Sequence, residues 1–252
     1  MLDTIFSNSW LSALVINTFL IAVAGIIPKK LLTFFGYLNA WVLGVIVWGT
    51  LGWQGYVVVM FYFLVGSAVT KVGIAQKEAA GIAEKRSGMR GPENVWGSAL
   101  TATICALGTL LVNSSVVKEL LVLAYVASFA TKLSDTSASE VGKAYGKSTF
   151  LITNLKPVPR GTEGAVSLEG TVAGIVASVA IALVGYGVGM IDQTGVIWCI
   201  VAAFVATNIE SLIGATLQEN TPWLTNEIVN FINTTIGAIA AIILAILSQY
   251  LF

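Results

Sequence analysis

The sequence predicts an all-α, polytopic integral membrane protein with about eight transmembrane helices and two long connections on one face, and three observations carry that reading. Hydrophobic residues fill 56% of the 252 positions, charged residues only 10%, and mean hydropathy is +0.86. No soluble core of this length hides so much apolar surface. Apolar runs recur at about the 20-residue length that crosses hydrocarbon as a helix, the conformation that satisfies every backbone N–H and C=O within its own segment. The charges are gathered into a few stretches instead of being spread along the chain.

Taken in order, spans are expected at 9–27, 34–52, 54–71, 95–113, 116–133, 166–189, 192–213 and 227–250. The first lacks a basic leader and is followed by Pro28-Lys29-Lys30, which marks a retained helix and not a cleaved signal. Trp48, Trp53, Trp96 and Trp223 fall near span ends, where amphipathic rings anchor at the interface. Gly170 and Gly174, and Gly185 and Gly189, give the small-residue spacing of close helix packing. No Gly/Ser linker or internal repeat divides the chain, so 1–252 is read as one transmembrane domain.

Orientation follows from lysine and arginine, which cytoplasmic connections retain. With the N-terminus outside, the inner connections hold Lys29, Lys30, Lys71, Lys77, Lys85, Arg86, Arg90, Lys132, Lys143, Lys147, Lys156 and Arg160, and only Lys118 lies outside. Both termini are therefore expected on the side opposite the basic face.

Composition also excludes chemistry. There is no histidine, which removes Ser-His-Asp and Cys-His catalysis and histidine metal sites. Cys105 and Cys199 lie in apolar runs and define neither a disulfide framework nor a zinc site. Thirteen basic and thirteen acidic residues cancel, which gives no footprint for nucleic acid.

Two connections are longer than bundle loops need to be. In Val72–Asn94, a short helix is expected over Ile74–Arg86 and a turn-rich segment over Ser87–Pro92. The second, Ser134–Gly170, mixes charge with Val141, Phe150, Ile152 and Leu155, enough apolar surface to fold back on the bundle. From Lys132 to Glu169 it holds five basic and four acidic residues. Asp135, Glu140, Glu163 and Glu169 offer hard oxygen ligands suited to Mg²⁺ shared with substrate phosphates. Lys143, Lys147, Lys156 and Arg160 could meet those phosphates, and Gly142, Gly146 and Gly161 would let backbone amides approach them. Gly146-Lys147-Ser148 is not a P-loop ending, because Val141 stands where that motif needs glycine.

The last two spans are unusually polar. Glu210 near the end of the seventh is a further metal-ligand candidate, beside Asn208. In the eighth, Asn226, Asn230 and Asn233 recur on one helix face, as a substrate contact or as interhelical hydrogen bonds.

The segments SDTSASEVGKAYGK and NLKPVPRGTEGAVSLEGTVAG resemble a membrane family that includes the phytyl-phosphate kinases of tocopherol synthesis. More distantly they look like phytol and dolichol kinases and CDP-diacylglycerol synthases. The resemblance extends to GSAVTKVGIAQKEAAGIAEKRSGMRGPENVWG, NIESLIGATLQ and LTNEIVNFINTTIGA, most of the chain from Gly66 onward. It implies transfer of a phosphoryl group from a nucleoside triphosphate, CTP favoured, to an isoprenoid monophosphate in the membrane, with Mg²⁺. Carried onto this chain, Asp135 would be a metal or catalytic acid, joined by Glu140 and Lys143. Lys143, Lys147 and Lys156 would contact phosphate, and Arg160, Thr162 and Glu163 would form the second half of the nucleotide site. Lys71, Glu84, Arg90 and Asn94 would close over it. An alcohol kinase, a cytidylyltransferase and a transporter are the other readings, the last weakened by charge lying in the connections and by the lack of a repeat.

Overall fold

A computed structural model describes residues 8–27, 30–218 and 221–251. Lys29, counted above for orientation, and Pro28 before it lie outside the described residues. The elements are α1 (Ser9–Ile26), α2 (Phe34–Thr70), α3 (Ile74–Ala79), α4 (Pro92–Leu111), α5 (Ser115–Tyr145), β1 (Thr149–Leu151), β2 (Ala165–Ser167), α6 (Leu168–Gly187), α7 (Gln193–Thr216) and α8 (Asn226–Leu251). The all-α membrane expectation holds, with one short antiparallel hairpin of β1 and β2 added to it.

Six of these helices are long and apolar enough to cross a membrane: α1, α2, α4, α6, α7 and α8. One of them is two spans. At Gly52 the backbone of α2 leaves helical geometry (φ 66°, ψ −161°), a conformation open to glycine. The chain reverses there, since the Trp48 and Tyr56 rings stand 5.1 Å apart and the Tyr56 ring abuts Gly44. Twelve residues of straight helix would separate Gly44 and Tyr56 by about 18 Å. The two arms, 34–51 and 53–70, are the second and third predicted spans. Counting both arms together with α5 gives eight.

Helix α5 is the axis of the bundle. Residues 123–135 are buried without interruption on every face of the helix, which no lipid-facing helix would be. Alanines and a serine at 124, 127, 128 and 130 let α2, α4, α6, α7 and α8 pack closely around it. Tyr125 and Phe129 meet edge to face at 5.2 Å, and the Tyr125 hydroxyl donates to the Gly55 carbonyl at 2.7 Å. The outer helices show apolar side chains to lipid, among them Phe19, Ile26, Val176 and Ile239.

Both connections are more ordered than expected. The stretch 134–145, expected as loop, continues α5 for three turns. Its charges are sheltered by the first connection and by β2, so helix remains the cheapest way to satisfy the backbone. The helix expected over Ile74–Arg86 stops at Ala79, because Gly81 takes a left-handed conformation (φ 69°) that ends the turn. The chain then forms a short 3₁₀ turn, Lys85–Gly88. The connections pack on each other: Gly73 (φ 59°) abuts Ala144 at the end of α5, and Gly161 (φ 85°) abuts Ile82. A Cβ at either glycine would come within 2.7 Å of its neighbour.

Candidate active site

Lys132 and Asp135, one turn apart on α5, are both buried and paired at 2.6 Å. Lys132 Nζ also donates to Asn230 Oδ1 of α8 at 2.7 Å. Glu210 of α7 lies within hydrogen-bonding reach of Asp135, and Glu163 acts on Glu210 electrostatically. Tyr62 of the second α2 arm and Glu210 both lie within electrostatic reach of Lys132. Five elements thus converge on one polar centre in which a single ammonium faces two interior carboxylates and a third at the rim. Buried charge is tolerated when it is paired. Here the carboxylates are in excess.

Arg90 adjoins this centre through Tyr62. Its Nη1 donates to the Tyr62 hydroxyl at 3.1 Å, and the guanidinium lies 5.3 Å from the ring centroid. Among the described residues Arg90 has no carboxylate partner. The β-bridge between Leu32 and Arg90 fixes its backbone. Asn94, in the first turn of α4, accepts from the Gly91 N–H at 2.9 Å and from Arg86 at 3.1 Å, and donates to Glu227 of α8 at 3.4 Å.

Glu140 belongs elsewhere. Five residues of helix turn it about 140° away from Asp135 around α5. It forms a buried ion pair with Lys77 of α3, whose ammonium also donates to the Thr70 carbonyl at 2.8 Å. Lys143 joins this group, 3.5 Å from Glu140 and 3.4 Å from Glu84. It lies on the part of α5 that extends past the predicted span. Burial opposes its charge, yet Glu140 and Glu84 outweigh that and hold its ammonium above the usual lysine range.

On the surface, the segment between α5 and β2 folds around a cleft of about 380 Å³ lined by Lys147, Ser148, Phe150, Pro157 and Arg160. Arg160 Nη1 donates to the Ala144 carbonyl at 3.0 Å, which satisfies one of the open carbonyls at the end of α5. The Thr162 hydroxyl closes a local turn onto Pro159 at 2.8 Å. Gly164 (φ 71°) abuts the backbone of α7 at Ser211, and this contact brings Glu163 toward Glu210. Lys71, Lys147 and Lys156 are exposed, with no carboxylate partner among the described residues.

Of the polar residues in the last spans, Asn230 enters the centre. Asn208 bonds back to Phe204 of its own helix at 2.7 Å. Asn233 is fully buried, and neither of its amide atoms finds a partner among the described residues. The sequence pattern gives no sign of the roles of Tyr62, Lys77 and Glu227. Lys132 counts there only as a topological marker, although its position three residues before Asp135 is the spacing of a helical ion pair.

The donor set suits a hard divalent cation, with the Asp135 and Glu210 carboxyl groups within reach of each other. Among the described residues no three acidic or thiol side chains stand together as a complete cage. Such an ion would complete its shell from substrate oxygens.

The fold and site define a polytopic membrane protein with a charged centre enclosed by its helices at one face. The chain belongs to the integral membrane protein family DUF92, which matches residues 17–238. It is 66% identical over 233 residues to an uncharacterized membrane protein of Synechocystis, covering 92% of this chain and 90% of that one. It is 44% identical over 241 residues to the chloroplastic protein VTE6 of Arabidopsis thaliana, covering 94% of this chain and 72% of the relative. A membrane protein of Methanocaldococcus jannaschii is 29% identical over 235 residues, covering 92% of this chain and 94% of that one. No solved structure matches.

Proposed function

We propose that this protein is a membrane lipid-phosphate kinase that moves the γ-phosphate of a nucleoside triphosphate, CTP favoured, onto an isoprenoid monophosphate such as phytyl phosphate, giving the diphosphate. The observation that carries the reading is the enclosed centre: Lys132, Asp135, Glu210 and Asn230 beside the Arg90 guanidinium, which has no carboxylate partner among the described residues. The motif resemblance to phytyl-phosphate kinases and the 44% identity to the chloroplastic VTE6 protein support it.

Phosphoryl transfer between two phosphate clusters depends on positioning and on neutralising charge, and it needs no histidine. Asp135 and Glu210 would hold Mg²⁺, which supplies charge neutralisation between the phosphates. Lys147 and Arg160 at the surface cleft are suited to the triphosphate, with Lys156 and Thr162 next to its lining segment in the chain. Arg90 and Lys132 approach from the bundle side. In this reading Glu140 and Lys143 brace the site through Lys77 and Glu84, and the catalytic roles that the motif suggests for them pass to Lys132 and Glu210.

An acceptor phosphate oxygen is already anionic and needs no general base. Asp135 Oδ2 is occupied by the Lys132 ammonium at 2.6 Å. An alcohol acceptor would instead require a carboxylate such as Asp135 to take its proton. The concentration of basic residues supports a cytoplasmic location for this face, with both termini opposite.

The test is transfer of labelled γ-phosphate from CTP, with Mg²⁺, to phytyl monophosphate by the purified protein in detergent, the lipid product being identified by chromatography. A labelled diphosphate whose formation Asp135→Asn lowers about a hundredfold or more supports the reading. A CDP-lipid product would move the assignment to a cytidylyltransferase, and phosphorylation of phytol alone would move it to an alcohol kinase.

A further inference from the structure

Beside the charged centre lies a second cavity, apolar and of about 140 Å³, between α1, both arms of α2 and α4. Leu20, Leu43, Val59, Phe63 and Ala99 line its walls. Its ends differ in chemistry. At the face of the bundle that carries the connections, Tyr62, Arg90 and Asn94 border it, and Arg90 is the guanidinium without a carboxylate partner among the described residues. At the inner end, Asn17 and Tyr56 form a floor: the Tyr56 hydroxyl donates to Asn17 Oδ1 at 2.9 Å, and Asn17 Nδ2 donates to the Ala13 carbonyl at 2.9 Å. Gly44 makes room for that pair, since a Cβ there would fall 1.9 Å from Asn17 Oδ1. The floor is thus a satisfied polar pair that closes an otherwise apolar slot. From Tyr62 to Tyr56 the slot runs about 9 Å along the helix.

We infer that this slot holds the phosphate-proximal isoprene unit of the acceptor lipid, with Arg90 taking the lipid's phosphate at the mouth. The inference rests on the kinase reading for the identity of the lipid, and it adds where that lipid binds and what measures it. A dry apolar cavity of about 150 Å³ accommodates a benzene-sized molecule. A slot of 140 Å³ therefore takes a five-carbon unit and not a whole diterpenoid chain. The remainder of the tail leaves past α1, which packs chiefly on α2 and shows lipid-facing side chains such as Phe19. Charge complementarity selects the occupant: an apolar chain alone would gain nothing from Arg90, and a free phosphate nothing from the slot. Because Tyr62 bonds to Arg90 and lies within electrostatic reach of Lys132, a phosphate held at Arg90 stands at the edge of the carboxylate centre.

Two readouts on the full-length protein in detergent separate this inference from the kinase reading. The first is equilibrium binding of labelled phytyl monophosphate without nucleotide, with phytol and inorganic phosphate as competitors. The second is KM for the lipid against KM for CTP. Ala40→Trp fills the slot from α2, and Ala24→Phe fills it from α1 as a second variant in case the first fails to fold. Each is expected to weaken lipid binding about tenfold, the scale of an overpacking penalty, and to leave KM for CTP unchanged. Arg90→Gln should weaken the monophosphate by about tenfold or more and leave phytol competition unaltered. Folded Ala40→Trp and Ala24→Phe proteins that bind and turn over the lipid like the parent would overturn the slot while leaving the kinase reading intact. Binding that depends on the slot and Arg90 in a protein with no transfer activity would keep the slot and discard the kinase.

Discussion

Helix α5 carries two buried lysine–carboxylate pairs, and they differ in charge balance. Around Glu140, two lysines meet two carboxylates: Lys77 and Lys143 face Glu140 and Glu84, and Lys77 has the Thr70 carbonyl as well. Around Asp135, one lysine meets Asp135 and Glu210, with Glu163 at the edge. The first group is electrically closed and joins α3 to α5. The second holds one more carboxyl group than its lysine can pair, a group that a cation can complete. Burial of an acidic residue is therefore a weak pointer to chemistry, and a buried carboxyl group without a basic partner is the better one.

Breaking each group should give opposite phenotypes. The largest effect is expected for Glu140→Ala, which strands the buried Lys77 ammonium of α3 without its carboxylate. Removing one partner of a buried pair costs about 3–5 kcal/mol, so thermal unfolding in detergent should show a collapsed transition or no folded protein. Asp135→Asn should do the reverse. The amide keeps an oxygen for Lys132 and leaves Glu210 beside it, so the folding transition should stay near that of the parent while lipid-phosphate transfer falls about 10²- to 10³-fold. Equal loss of folding in both variants would erase the distinction between brace and reactive centre.

How much of this is legible in sequence depends on how local each interaction is. The membrane class and the span pattern are readable because lipid imposes one rule on every segment. Asp135 stands out because its motif is contiguous. The Lys77–Glu140 pair joins residues 63 apart, and no spacing rule reaches across two connections. Tyr62 sits in an apolar run and looks like packing until Arg90 is brought against it. The expectation of a loop over 134–145 fails for a related reason: charge density there signals partners on α3 and α7, not water. Glu140 groups with Asp135 by proximity in sequence, yet helical rotation sends the two to different neighbours.

A smaller effect tests the surface half of the site. Lys147→Ala should raise KM for CTP about tenfold and leave KM for the lipid and the folding transition largely unchanged, since it removes one phosphate contact at an exposed cleft; Arg160→Ala should raise KM for CTP likewise, with a small loss of stability from the freed Ala144 carbonyl. If the lipid KM moved instead, the nucleotide would belong at the bundle side and the lipid phosphate at the cleft.

The smallest effects separate two asparagines that look alike in sequence. Asn230 accepts from Lys132 at 2.7 Å, whereas Asn208 bonds to the Phe204 carbonyl of its own helix. Asn230→Ala removes one of the two acceptors that orient the Lys132 ammonium, and the loss of a hydrogen bond to a charged group is worth about 1.5–3 kcal/mol. Part of that loss should appear as slower transfer, because a less constrained ammonium shields Asp135 less consistently. Asn208→Ala removes an amide that back-bonds to a helix carbonyl already served by the backbone, so its effect on stability should stay within about 0.5 kcal/mol and transfer should be unaltered. Measured side by side, the pair isolates position on the helix face from residue type, since the two substitutions delete the same amide from neighbouring helices. A matched decline in both would mean that the polarity of these spans acts through helix packing as a whole, and that Lys132 gains its orientation from Asp135 alone.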